Sequence, residues 1–470
     1  MTSSFASSRR LFLQQSALVT LAFAGLRNVY AQSTTAIPPL DKHLKPDAKR
    51  ILDLPPGFSY QVISKVGQKM DDGLLVPGAP DGMGTFAGAD GRTIIICNHE
   101  LDAGAAGSSP FGSKRELLSK VDLRKLYDAG NRKRPGLGGT TTLVYDTKAQ
   151  RLEKHFLSLA GTYRNCAGGV TPWNTWITCE EDSSKPNEGG QNSDDPMEKE
   201  HGYNFEVPAS EAMELTAALP LKAMGRFRHE AVAVDPRTAI VYQTEDRSDG
   251  ILYRFIPERR GELMAGGRLQ ALRVKDQPRA DTRNFQEAKI KPGDKFAAEW
   301  VDIRDVEAPD DDLRYQGYFE SGCARFARAE GIWWGRDAVH FACTNGGPAR
   351  KGQIWRYIPS PDEGTAGEAA KPGELELFIE PNDGNLVENC DNVTMAPCGD
   401  LIICEDGKNP QYLVGVTAEG KTYRFARNTS SEFAGACFSP DGTTMFVNIM
   451  GPGVTLAITG PWEKLRASAI

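Results

Sequence analysis

Three carboxylates and one thiol recur at one position of a repeated pattern: Cys166, Glu230, Glu330 and Asp391. Each opens a short apolar strand, followed by a Pro/Gly/Asp turn, a second apolar strand and a closing polar residue. The copies run Cys166 to Glu180, Glu230 to Glu245, Glu330 to Asn345 and Asp391 to Glu405. A fifth, Ala434 to Asn448, lacks the charged opening residue, and a weaker sixth runs from Met83 to Asn98. The closing residue falls 14 or 15 positions after the opening one in all six. Acids gathered in one dry place repel one another, and multivalent cations resolve the conflict. Oxygen ligands favour calcium and a thiolate favours a transition metal, so a site with both suits iron and calcium together. Arg328, two residues before Glu330, is placed either to take an oxyanion bidentately or to form a surface salt bridge. Cys179, Cys343 and Cys404 lie inside second strands and read as buried small hydrophobes.

Each copy reads as a β-hairpin, with turn chemistry such as Asp235-Pro236 and Pro440-Asp441-Gly442 between apolar strands. A hairpin cannot bury its face alone, whereas a ring of blades can. The expected fold is all-β: one six-bladed β-propeller with loop and insert decorations, the clearest being Asp182 to Tyr203 and Pro257 to Lys295. The first strand of each blade lines the channel, and the hairpin returns its second strand to the same end. Opening and closing residues should therefore meet on one rim. Around the four anchors that rim would hold Asn98, Glu180 or Glu181, Glu245 or Asp246, Asn345, Glu405 or Asp406, and Asn448.

The 470 residues are 40% hydrophobic, enough for a large core, which excludes a disordered chain. The net charge is −7. Residues 1–31 contain Arg9, Arg10, Arg27 and no acid; without them the chain has 52 basic and 62 acidic residues. So acidic a body is a poor nucleic-acid binder. Arg9-Arg10-Leu11-Phe12-Leu13, a short apolar run and Val29-Tyr30-Ala31 read as a removable twin-arginine signal over 1–31. The apolar run is too short for a membrane anchor. The expectation is export by the twin-arginine translocase to the periplasm or beyond, leaving 32–470 as a single propeller catalytic domain. The nine cysteines include no C-x-x-C pair, and there is no phosphate loop, H-E-x-x-H or Ser-centred nucleophile elbow.

The motifs Asn98-His-Glu100, Cys166-Ala-Gly-Gly, Thr178-Cys-Glu-Glu181, Arg226-Phe-Arg-His-Glu230, Thr244-Glu-Asp246, Arg328-Ala-Glu330, Cys343-Thr-Asn-Gly-Gly347, Cys404-Glu-Asp-Gly407, Glu432-Phe-Ala-Gly435 and Gly460-Pro-Trp462 keep their order through most of the chain. Together they resemble the PhoX alkaline phosphatase family. The resemblance implies a phosphomonoesterase with Fe3+ and Ca2+ at one end of a propeller channel, acting on small phosphomonoesters. It further implies Cys166 and Glu230 as iron ligands, Glu330 and Asp391 as metal ligands, and Arg328 as phosphate ligand. Glu180, Glu181 and Glu100 are further candidate ligands. The acidic surface and closed fold fit a monomer.

Two other readings use the same scaffold. One is a calcium-dependent lactonase or esterase, which uses one catalytic calcium and needs no cysteine, so Cys166 counts against it. The other is a non-catalytic periplasmic binding propeller with structural metals. Fold alone does not choose among the three.

Overall fold

A computed structural model describes residues 41–102, 104–186, 197–308 and 313–465. The signal expected over 1–31 lies outside the described residues. From His43 onward the chain forms one unit, built from strands of five to twelve residues joined by turns and short 3-10 segments.

The architecture is all-β and propeller-like. Four strands, Pro80–Ala87, Arg92–His99, Gly138–Asp146 and Arg151–Thr162, form the first antiparallel sheet in chain order. Asn165–Val170, Thr175–Glu180 and Asn204–Pro208 form a three-stranded sheet. Cys390–Met395, Leu401–Glu405, Gln411–Val416 and Thr422–Asn428 form another of four. The last sheet joins the two ends of the unit: Ser59–Lys65 pairs with Val454–Thr459, beside Thr444–Ile449 and Phe433–Phe438.

Between these lies a nine-stranded sheet. It contains two meanders, His229–Val234 through Gly267–Val274 and Ala329–Gly335 through Gly373–Ile379, bridged at their outer strands by Lys295–Asp302. The stretch Pro257–Lys295, expected as an insertion, thus contains an integral strand, Gly267–Val274. Its alternation is masked because Arg268, Gln270 and Arg273 sit on it.

The first strands of successive meanders lie side by side in a closed cycle: Pro80–Ala87, Asn165–Val170, His229–Val234, Ala329–Gly335, Cys390–Met395, Phe433–Phe438, and back to Pro80–Ala87. Their approach is close. A Cβ on Gly82 would come 2.5 Å from Ala167 Cα, and one on Gly331 would come 2.6 Å from Asn392 Cα, contacts that only glycine avoids. Sheets pack face to face through buried apolar side chains such as Trp176, Phe205, Phe341 and Trp355.

Polar braces tie three of the inner strands to the neighbouring sheet. Asn98 Nδ2 donates to the carbonyl oxygens of Ala167 (2.6 Å) and Cys166 (3.3 Å), while its Oδ1 accepts from Trp176 Nε1 at 2.8 Å. Asn448 Nδ2 donates to the Asp81 carbonyl at 2.6 Å, and Thr244 Oγ1 to the Glu330 carbonyl at 2.6 Å. Asn98 and Asn448, expected on the rim, are instead buried between sheets.

Candidate metal centre

A bulge aims each anchor. In five inner strands two residues oppose one on the neighbouring strand, and the first of the two is Asp81, Cys166, Glu230, Glu330 or Asp391. Such bulges twist a strand and redirect a side chain, and they gather beside active sites. A small residue or Asn follows each anchor: Gly82, Ala167, Ala231, Gly331 and Asn392. The sixth inner strand shifts register between Ala434 and Cys437 and brings no acid.

The anchors converge. Ligand oxygens of Glu181, Glu230 and Asp246 lie within 4.8 Å of one another, and those of Glu230, Glu330 and Asp391 do the same, so Glu230 belongs to both triads. Arg328 holds Asp246 through both oxygens, Nε to Oδ1 and Nη2 to Oδ2 at 2.8 Å each, and reaches Glu330 Oε1 at 2.6 Å. Arg164 Nη2 contacts Glu100 Oε1 and Glu181 Oε2, each at 2.5 Å. Arg228 stands 3.6 Å from Glu181.

Burial and mutual repulsion raise the acids. Asp81, Glu230, Glu330 and Asp391 are all held well above the carboxylate range, first by desolvation and then by neighbouring acids. Desolvation lifts Glu100 to about 7 despite Arg164. Desolvation and a hydrogen bond with Asp406 lift Glu432 to about 9. The Cys166 thiol is raised by burial and by the charges of Glu230, Glu181, Asp81 and Glu100. It faces the carbonyl oxygens of His229 at 3.4 Å and Glu230 at 3.5 Å.

Of the expected residues, Cys166, Glu230, Glu330, Asp391, Glu181, Glu100 and Arg328 share this mouth, through either contacts or electrostatic coupling. Glu180 does not. Its Oε1 accepts from Tyr163 N (2.9 Å) and His201 Nδ1 (2.6 Å), and its Oε2 from Gly202 N (3.0 Å) and Tyr203 N (3.2 Å). Glu245 and Glu405 play the same part, accepting from Ile251 N and Tyr253 Oη, and from Glu388 N and Tyr412 N. Successive strand residues face opposite ways, so Glu181, Asp246 and Asp406 turn toward the mouth.

The donor set fits hard cations. Carboxylate oxygens at this spacing cannot all stay charged and dry without positive charge. Asp81 Oδ1 is buried and has no hydrogen-bond partner, as expected of an atom reserved for an ion. The thiol adds one soft ligand.

The profile of the alkaline phosphatase PhoX family matches residues 40–453. The chain belongs to the PhoX alkaline phosphatase family. No curated protein matches it. Solved structures similar to it include a gluconolactonase from Xanthomonas campestris, at 11% identity and TM-score 0.39, covering 87% of this chain and 98% of that one. Another is virginiamycin B lyase from Staphylococcus aureus, at 10% identity and TM-score 0.35, covering 86% and 99%. A third is a protein of unknown function from Dyadobacter fermentans, at 10% and 0.43, covering 86% and 100%.

This PhoX chain holds further acids that the repeat spacing did not single out. Asp81 was missed because the sixth copy was aligned on Met83, two residues late; the acid–small pair Asp81-Gly82 matches Glu330-Gly331 and was the available signal. Glu432, coupled to Asp406, Asp391 and Glu100, has no repeat signal. Cys97, Cys166, Cys179, Cys323, Cys343, Cys390, Cys404 and Cys437 are free thiols. Among the described residues no helix is long and apolar enough to cross a membrane.

Proposed function

We propose that this protein is a metal-dependent phosphomonoesterase that releases phosphate from small phosphate monoesters outside the cytoplasm. The observation that carries the reading is Glu230, shared by two carboxylate triads, with Arg328 bound to one acid of each, Asp246 and Glu330. Family membership supports the reaction class.

Glu230, Glu330, Asp391, Glu181 and Asp246 would hold the cations, with Cys166 as the soft ligand, and the mixed donor set favours Fe3+ together with Ca2+. Bound cations would supply the positive charge that balances these acids and the charge developing on the phosphoryl oxygens. With Nε and Nη2 of Arg328 held by Asp246 and Glu330, Nη1 is the donor left to meet phosphoryl oxygens. The contact with Asp246 fixes the guanidinium before substrate arrives, so little reorganisation is needed in the transition state. Cys166 is buried with its thiol held neutral, which suits a ligand that loses its proton to a metal and not a free nucleophile. A lactonase would need one cation; two triads sharing Glu230 favour several.

In this reading 32–470 is one six-bladed domain, supported by the cycle of inner strands. It acts as a monomer without a membrane anchor, after twin-arginine export directed by 1–31. Elemental analysis and a chromogenic phosphomonoester test it. Iron and calcium at several ions per chain with turnover are expected; metal-free protein, or loaded protein that leaves the ester intact, overturns the reading.

A further inference from the structure

Arg328 has two counterparts. Arg164, Arg228 and Arg328 each stand two residues before a bulged anchor, Cys166, Glu230 and Glu330 respectively. Their side chains are 41%, 38% and 37% exposed, whereas the acids they contact are less open, Glu100 at 17%, Glu181 and Glu330 at 8% and Asp246 at 9%. The three guanidinium groups therefore form a solvent-facing layer over the carboxylates.

The backbone argues that two of these arginines are not there for local conformation. Arg164 has φ 46° and Arg328 φ 50°; Ala79 and Asn389, at the same position before Asp81 and Asp391, have φ 43° and 56°. A left-handed conformation strains an ordinary L-residue, and Asn bears it best. Asn389 is the residue the conformation prefers. Ala79 shares the conformation without a polar side chain, so the left-handed turn belongs to the repeat, and arginine stands at 164 and 328 although the backbone there favours Asn.

A donor is also left over. Arg164 reaches Glu100 and Glu181 through Nη2 alone, and its Nε is buried without a hydrogen-bond partner, as is that of Arg228. Neither orphan is explained by the acids already in contact, and an orphaned buried donor is costly enough to expect a partner. The Arg164 Nε faces the protein, and an anion seated over the acid cluster would instead meet the solvent-facing part of the guanidinium, since the side chain is 41% exposed.

We propose that Arg164 is a second anion-binding arginine of this site, acting with Arg328 to hold the phosphoryl group of a phosphate monoester or the phosphate product. The inference rests on the phosphatase reading. With bound cations balancing Glu100 and Glu181, the Arg164 guanidinium would be released from them to donate to the phosphoryl oxygens.

Inorganic phosphate titrated calorimetrically into metal-loaded protein tests this, with metal content measured alongside. Arg164→Asn keeps a residue suited to the backbone and removes the fork; Arg164→Lys keeps the charge and loses the second donor. Wild-type metal content is expected in both, with phosphate Kd raised tenfold or more in R164N and by less in R164K. Phosphate affinity within twofold of wild type in R164N, or loss of metal from it, overturns the proposal, because Arg164 would then serve the acids alone. If R164N does not fold, unchanged affinity in R164K is the overturning result. Failure of the parent reading looks different: loaded wild type would neither bind phosphate nor hydrolyse the ester, and the inference would fall with it.

Discussion

Glu180 and Glu181 are adjacent, yet one carboxylate closes a loop and the other faces the acid cluster. Glu180 accepts four hydrogen bonds from Tyr163, His201, Gly202 and Tyr203, whereas Glu181 groups with Glu230 and Asp246. Substitution should separate the two roles. In Glu180→Gln an amide hydrogen would confront a backbone N–H, lowering stability by about 2 kcal/mol while iron and calcium content is retained. Glu181→Gln should fold normally and lose metal. Thermal melts and elemental analysis of the two variants check the contrast.

Arg328→Ala removes the fork that spans Asp246 and Glu330. The kcat/KM for a chromogenic phosphomonoester should fall about 100-fold or more, as for loss of one preorganised donor to transition-state charge. Steady-state kinetics on metal-matched samples measure this; a drop under threefold would remove Arg328 from the reaction.

His201 gives stability a pH dependence. Burial alone would favour its neutral form, but Glu180 at 2.6 Å and Asp128 at 3.5 Å outweigh this and raise it from 6.5 to about 9. A folded-state pKa above the unfolded one contributes stability that is complete below about pH 6.5 and is lost as pH rises through about 9. The loss is on the order of 3 kcal/mol. Tm should therefore fall across that window, and His201→Gln should be less stable at pH 6 and show a flatter profile. Calorimetric scans at several pH values decide it.

Asn98→Ala removes the brace behind Cys166 and leaves the buried Trp176 indole N–H and the Ala167 carbonyl without partners. The cost should be on the order of 3 kcal/mol in urea unfolding. A change below 1 kcal/mol would mean that the inner strands hold their spacing without it.

Local features were legible in the sequence, and long-range pairings were not. The spacing from Cys166 to Glu180 or Glu330 to Asn345 is that of one hairpin, so strand, turn and anchor could be read from neighbours in the chain. The choice between Glu180 and Glu181 depends on how the strand end twists after the bulge at Cys166, which composition does not encode. Lys295–Asp302 pairs with both Gly267–Val274 and Gly373–Ile379; a strand whose second partner is some eighty residues away leaves no periodic trace of that choice. The signal for Arg164 lies only in its recurrence: an arginine two residues before the anchor is repeated at Arg228 and Arg328, and no single copy marks it out from a surface arginine.

The pairing of Ser59–Lys65 with Val454–Thr459 has a consequence for biosynthesis. A ribosome releases Ser59 long before Val454 exists, so the circle stays open until the chain is almost finished. The acids of the two triads, Glu181 to Asp391, are all synthesised before Val454, so they can confront one another in the nascent polypeptide and the ring is sealed only after its mouth has been made.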